Sequence, residues 1–176
     1  IPLVFFEVKA HHRDLRHAYD DNFKDYKDTI PDLFSTNALV ILSNGLDKSD
    51  ESGTRVGTVT SPYKFFHEWK RIDENEKGVV SLDTTIRGTC SKDNLMDLFE
   101  NFLLFDDSGG DVVKIMAKNH QFIGTNKAIN SANSLEDLKG KLGVFWHTQG
   151  SGKSYSMVFL SQKIHRKFEG SFTILV

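Results

Sequence analysis

The chain has 176 residues, 39% of them hydrophobic and 26% charged, with a formal net charge of -2. That balance suits a globular protein and excludes a bulk positive field, so any contact with nucleic acid must come from a local patch. No apolar run is long enough for a membrane span, and the one cysteine, Cys90, excludes an internal disulfide, which suits a reducing cytoplasm.

Val4 to Val8 is rich in β-formers and bounded by Pro2, and reads as a strand. Alternation puts Val4, Phe6 and Val8 on one side and Phe5, Glu7 and Lys9 on the other. No leader is legible ahead of Glu7 and Lys9. From Arg13 to Ile30 a helical stripe runs through Leu15, Ala18, Tyr19, Tyr26 and Ile30, and Pro31 stops it. "ALVILSNG" is a second strand ending in an Asn-Gly turn, and "RVGTVT" a third, on an edge or in a hairpin. "SPYKFFHEWKRI" predicts a helix capped by Ser61, with Phe65, Phe66, Trp69 and Ile72 on its stripe.

Residues 73 to 94 show little period. "LMDLFENFLLF" predicts a strong helix, with Leu95, Leu98, Phe99 and Phe102 on one face. "DDSGGD" reads as a turn or linker and sets the expected domain boundary near 110. A polar-faced helix is expected over Asn119 to Asn130, and Ser134 with Asp137 suggests the cap of a short helix. Then come a strand "LGVFWHT", a Gly-rich loop, a helix from Lys153 to Phe168 and a strand "FTILV". Both ends of the chain read as strand, so the sequence is taken as a piece of a longer protein.

The loop is "HTQGSGKS". A phosphate chain needs backbone N–H groups turned inward, and Gly150 and Gly152 give the backbone that freedom. The helix start behind it adds positive partial charge. Lys153 would reach the β- and γ-phosphates of ATP, and the Ser154 hydroxyl would ligand Mg²⁺. Where the standard pattern has Gly or Ala, this chain has His147. Thr148, Gly150, Ser151, Gly152, Lys153 and Ser154 instead match the "TxGxGK[ST]" form, which resembles superfamily 2 helicases and translocases. That resemblance implies that Gln121, in "KNHQFIG", hydrogen-bonds the adenine edge.

Glu7 and Lys9 lie two apart, on one face of their strand. A carboxylate and an ammonium so placed suit metal-dependent phosphodiester cleavage, with Glu7 on Mg²⁺ and Lys9 steering water or stabilising phosphate charge. The bare spacing equally describes an ion pair on a strand.

"PLVFFEVKA", "AYDDNFKDYKDTIPDLF", "LVILSNG", "FFHEWK", "IRGTC", "LMDLFENFLLF", "KNHQFIG" and "GVFWHTQGSGKSYSM" occur in that order over almost the whole chain. Together they resemble the R (restriction, motor) subunit of type I restriction-modification enzymes. The resemblance implies an α/β chain. Residues 1–110 would be the C-terminal part of a PD-(D/E)xK nuclease domain, a mixed sheet with flanking helices. Residues 111–176 would open a RecA-like P-loop motor domain.

It also implies an ATP- and Mg²⁺-dependent translocase and endonuclease acting on duplex DNA in the prokaryotic cytoplasm, with methyltransferase (M) and specificity (S) subunits as partners. Glu7 and Lys9 become the catalytic pair. Asn22 and Tyr26 stand where the family has Gln and Tyr, and so support the site. The family's Asp on the preceding strand has no counterpart from Ile1 onward. His11, His12, Arg13, Arg16 and His17 are candidates for touching DNA phosphates. A P-loop ATPase or kinase with no nucleic-acid role, and a non-catalytic DNA-binding module, are the alternatives.

Overall fold

The structure is a computed structural model that describes residues 1–45 and 53–175. It is an α/β protein of two compact units, Ile1–Lys118 and Asn119–Val176.

The first unit is built on a mixed three-stranded sheet. Its middle strand, β2 (Leu39–Ser43), is buried at all five positions, as its unbroken Leu-Val-Ile-Leu run requires. β1 (Val4–Val8) pairs with it in parallel, setting Glu7 opposite Leu42, and β3 (Thr54–Gly57) pairs with it antiparallel. Asn44, at the end of β2, accepts from the Gly53 N–H at 2.6 Å through its side chain and closes that hairpin. Asn44 and Gly45 of the expected turn are described, and residues 46–52 lie outside the described residues.

A helical crossover joins β1 to β2, as parallel pairing demands. It begins with α1 (Leu15–His17), passes through a π-helical stretch Ala18–Phe23 and continues as α2 (Lys24–Thr29). The Asp14 carboxylate caps its start by accepting from the Arg16 N–H at 2.8 Å. In the middle the Lys24 N–H reaches back to the Tyr19 carbonyl, one residue further than α geometry allows. Leu15, Ala18, Tyr19 and Phe23 face inward and bury against Val40, Leu42, Phe34 and Phe66. Phe5, partly buried, packs against this aromatic cluster, its ring 5.9 Å from Phe23 and 5.1 Å from Phe34. Each such ring pair adds about 0.5–1.5 kcal/mol beyond its burial. Ile30 departs from the expected stripe and is 52% exposed, because its backbone (φ -135°) has already left the helix.

Three expectations fail in the rest of this unit. "SPYKFFHEWKRI" makes only a 3₁₀ turn over Tyr63–Phe65 and then runs extended, with His67 bridged to Val56. Sheet pairing and burial win over the helical stripe: Phe66 and Trp69 are buried while Phe65 is 61% exposed. Residues 73 to 94 hold a helix after all, α3 (Leu82–Cys90), capped where the Ser81 hydroxyl accepts from the Thr84 N–H at 3.0 Å. Gly88 on α3 lies directly against the Trp69 indole, which is what pins that extended segment.

The strong helix is α4 (Lys92–Asn101), shorter than expected, since Leu103–Asp106 turns into β4. β4 pairs antiparallel with β5 (Val113–Met116), so "DDSGGD" supplies a hairpin turn and not a linker. The compact units divide at Lys118/Asn119, downstream of that turn.

The second unit contains α5 (Asn119–Asn133) and α6 (Lys153–Lys167), near the expected bounds. Phe122 and Ile129 of α5 and Phe159 of α6 are buried. The short helix expected after Ser134 is a run of turns. "LGVFWHT" and "FTILV" are not strands among the described residues; Val144 is 89% exposed, Trp146 85% and Leu175 92%. A strand exists only through its ladder of partners, and the described residues of this unit contain no other strand. No described helix is long and apolar enough to cross a membrane.

Candidate functional site

The site residues expected from the sequence fall into two constellations, one in each unit. The first sits on the inward face of β1. Phe5, Glu7 and Lys9 alternate toward the crossover, while Phe6 and Val8 face outward and are exposed. The Lys9 ammonium lies 3.2 Å from the Glu7 carboxylate. It also donates to Asn22 Oδ1 at 2.5 Å, so the π-helical stretch delivers an amide to the strand pair. Both charged side chains are largely sheltered, at 21% and 13% exposure. Tyr26 packs its ring 5.9 Å from Phe5 at the edge of the same cluster. The structure thus brings Glu7, Lys9 and Asn22 into one hydrogen-bonded group, with Tyr26 beside it.

The fit to a magnesium ion is incomplete. Among the described residues no three His, Cys, Asp or Glu side chains converge on one point. Glu7 offers a single carboxylate whose neighbour is a cation. Mg²⁺ is ordinarily held by one or two carboxylates with water and phosphate oxygens.

The basic residues after β1 are exposed. Arg16 is bonded to Asp20 at 2.9 Å and His17 to Asp21 at 2.8 Å, so part of that charge is met within the crossover itself. The rings of His11 and His12 touch edge to face at 5.6 Å.

The second constellation is the Gly-rich loop. Gly150 (φ 76°) and Gly152 (φ 87°) both occupy the left-handed region, which a side chain would strain. Gly152 is the N-cap of α6, and Lys153 and Ser154 follow on its exposed first turn. The Lys153 ammonium donates to the carbonyls of His147 at 2.6 Å and Thr148 at 3.2 Å, folding over the loop. Such a loop at a helix start collects N–H groups and a cation, the requirements of an anion site. The exposed Ser154 hydroxyl suits Mg²⁺ held mainly by phosphate oxygens.

Gln121 is not displayed on the surface of α5. It is 2% exposed, and its amide nitrogen donates to the Gly152 carbonyl at 2.8 Å. Its neighbour His120 meets the Ser151 carbonyl through Nε2 at 3.0 Å. The His147 ring packs 4.7 Å from His120 and 4.4 Å from Phe145. Burial, then the nearby His120 and Lys153, push the His147 imidazole below its ordinary pKa. Sequence reasoning gave His120 no role, because a helix-to-loop contact across 31 residues leaves no local pattern.

The family model for the N terminus of the type I restriction enzyme R protein matches residues 1–65. A curated relative, the type I restriction enzyme HindI endonuclease subunit of Haemophilus influenzae, is 37% identical over 175 residues, covering 93% of this chain. This chain belongs to the type I restriction enzyme R-protein family.

A second family model, SWI2/SNF2 ATPase, matches residues 120–176. The putative MjaIXP endonuclease subunit of Methanocaldococcus jannaschii is 27% identical over 204 residues, covering 100% of the chain. The putative MjaVIIIP subunit of the same organism is 27% identical over 118 residues and covers 65%. The chain spans only 16%, 18% and 10% of the lengths of these R-protein relatives. The R-protein match contains Glu7, Lys9, Asn22 and Tyr26, and the ATPase match begins at His120 and contains the loop.

Proposed function

We propose that this chain forms part of an R subunit that uses ATP to move along duplex DNA and cleaves foreign DNA. The carrying observation is that one chain holds both the Glu7–Lys9–Asn22 group and the glycine loop at the start of α6. The first unit is read as part of a PD-(D/E)xK nuclease domain, and the second as the opening of a RecA-like motor domain. M and S subunits would be the partners and would choose the DNA sequence.

In the nuclease unit, Lys9 places a cation where negative charge grows on a phosphate under attack. Asn22 fixes the ammonium at 2.5 Å, and Glu7 lies 3.2 Å from it. The described residues do not complete a Mg²⁺ site there, so the 176-residue chain alone is expected not to cut DNA. In the motor unit, Gly150, Ser151 and Gly152 wrap the triphosphate with backbone N–H groups, beside Thr148. Lys153 neutralises the terminal phosphates, and Ser154 holds the nucleotide's Mg²⁺, which would polarise those phosphates when bound. Gln121 is assigned to the adenine side.

Separation of the two activities tests the reading. In the intact protein assembled with M and S subunits, Lys153→Ala should abolish DNA-stimulated ATP hydrolysis and cleavage together. Glu7→Gln should abolish cleavage while ATP hydrolysis continues. ATP hydrolysis indifferent to duplex DNA would favour a P-loop enzyme with no nucleic-acid role.

A further inference from the structure

The first turn of α5 grips the glycine loop at two successive carbonyls. His120 Nε2 lies 3.0 Å from the Ser151 oxygen, and Gln121 Nε2 lies 2.8 Å from the Gly152 oxygen. A carbonyl has no proton to give, so the His120 ring must carry its proton on Nε2. Across a trans peptide the carbonyl and the following N–H point in opposite directions. Holding the Ser151 oxygen toward α5 therefore turns the Gly152 N–H away from it. Holding the Gly152 oxygen does the same for the Lys153 N–H. On the nucleotide reading, those two amides are the ones left to meet the phosphates.

The His120 side chain is itself fixed. Its ring stands nearly perpendicular to His147 at 4.7 Å, and His147 leans on Phe145 at 4.4 Å. Phe145 in turn lies against Gly124 of α5, where an added Cβ would come within 2.6 Å of the ring. A bulky His147 in place of a small residue thus becomes intelligible: it braces the side chain that aims the loop.

We propose that His120 is a positioning residue for the triphosphate, acting through the Ser151 carbonyl on the amides that bind phosphate. This rests on the nucleotide reading above. It makes His120 indifferent to the base, since it acts only on the phosphate cradle.

The test is titration calorimetry on the intact protein with Mg·ATP and with inorganic tripolyphosphate. His120→Phe keeps a ring against His147 but removes the donor. It should weaken both ligands by the same factor, roughly three- to tenfold, the loss of one neutral hydrogen bond. His120→Gln returns an N–H at similar reach and should bind within about twofold of the unmodified protein, a rescue that lost packing alone would not produce. Equal affinity in His120→Phe, no recovery in His120→Gln, or weakening of ATP without tripolyphosphate would each overturn the proposal. If the unmodified protein bound neither ligand, the nucleotide reading would fail and this inference with it. Binding by the unmodified protein with no response to His120 would sink this inference alone.

Discussion

The Lys9 ammonium donates a 2.5 Å hydrogen bond to the side-chain oxygen of Asn22, joining the first strand to the π-helical stretch of the crossover. The bond ties a residue of the expected catalytic pair to one whose role rested on resemblance alone.

Removing that amide should leave Lys9 paired with Glu7 only, free to swing along the strand. Asn22→Ala is expected to lower DNA cleavage by the assembled enzyme about tenfold or more, since a charge-assisted hydrogen bond contributes about 1.5–3 kcal/mol. ATP hydrolysis should be unchanged. Asn22→Gln, which keeps the amide, should recover most of the cleavage. Plasmid cleavage rates and ATPase rates measured side by side decide it; loss of both activities would point to misfolding instead.

Gly152 is constrained twice. Its φ of 87° strains any L side chain, and a Cβ there would stand 2.7 Å from the Gln121 amide nitrogen. Gly152→Ala should cost about 1–2 kcal/mol in local strain and displace Gln121 from the loop. A fluorescent ATP analogue should bind at least tenfold more weakly, while circular dichroism stays unaltered. Unchanged affinity would mean that the loop geometry is immaterial to the ligand.

The Trp69–Gly88 contact offers a stability test in the first unit. No methyl group fits between the α3 backbone and the indole. Gly88→Ala should destabilise by about 1–3 kcal/mol through overpacking, read from chemical denaturation. Combining it with Trp69→Phe should recover part of the loss, because the smaller ring makes room.

Burial, His120 and Lys153 all lower the His147 pKa. The folded chain therefore keeps this imidazole neutral at pH values where the unfolded chain protonates it. Between the two pKa values the unfolded state binds more protons, so stability rises with pH. The thermal midpoint should fall as pH drops below about 6.5 and stop falling below the depressed folded value. His147→Phe should flatten that limb; an identical slope in the variant would assign it to another group.

Sequence was most informative where one force dominates. Leu39 to Ser43 is apolar at nearly every position and can only be an interior strand. Lys153–Lys167 follows a glycine cap and keeps a buried face. It misled where local pattern and tertiary packing compete. Phe65, Phe66, Trp69 and Ile72 fall on a helical stripe, but pairing of His67 with Val56 and the fit of Trp69 on Gly88 hold them extended. α3 was hidden because Thr84, Thr85, Gly88 and Thr89 are weak helix formers. Around the loop, the glycines and Lys153 announce themselves by spacing. His120 and Gln121 act through carbonyls 31 residues away, which spacing does not show.

The parallel pairing of β1 with β2 also sets an order of assembly. Val4 meets Leu39 only after the intervening crossover has closed its loop, so this contact is entropically late compared with the β2–β3 hairpin. The bond between Lys9 and Asn22 depends on the same closure. A nascent or partly unravelled chain therefore presents Glu7 and Lys9 on a loose ribbon, without the Asn22 amide that holds the Lys9 ammonium in place.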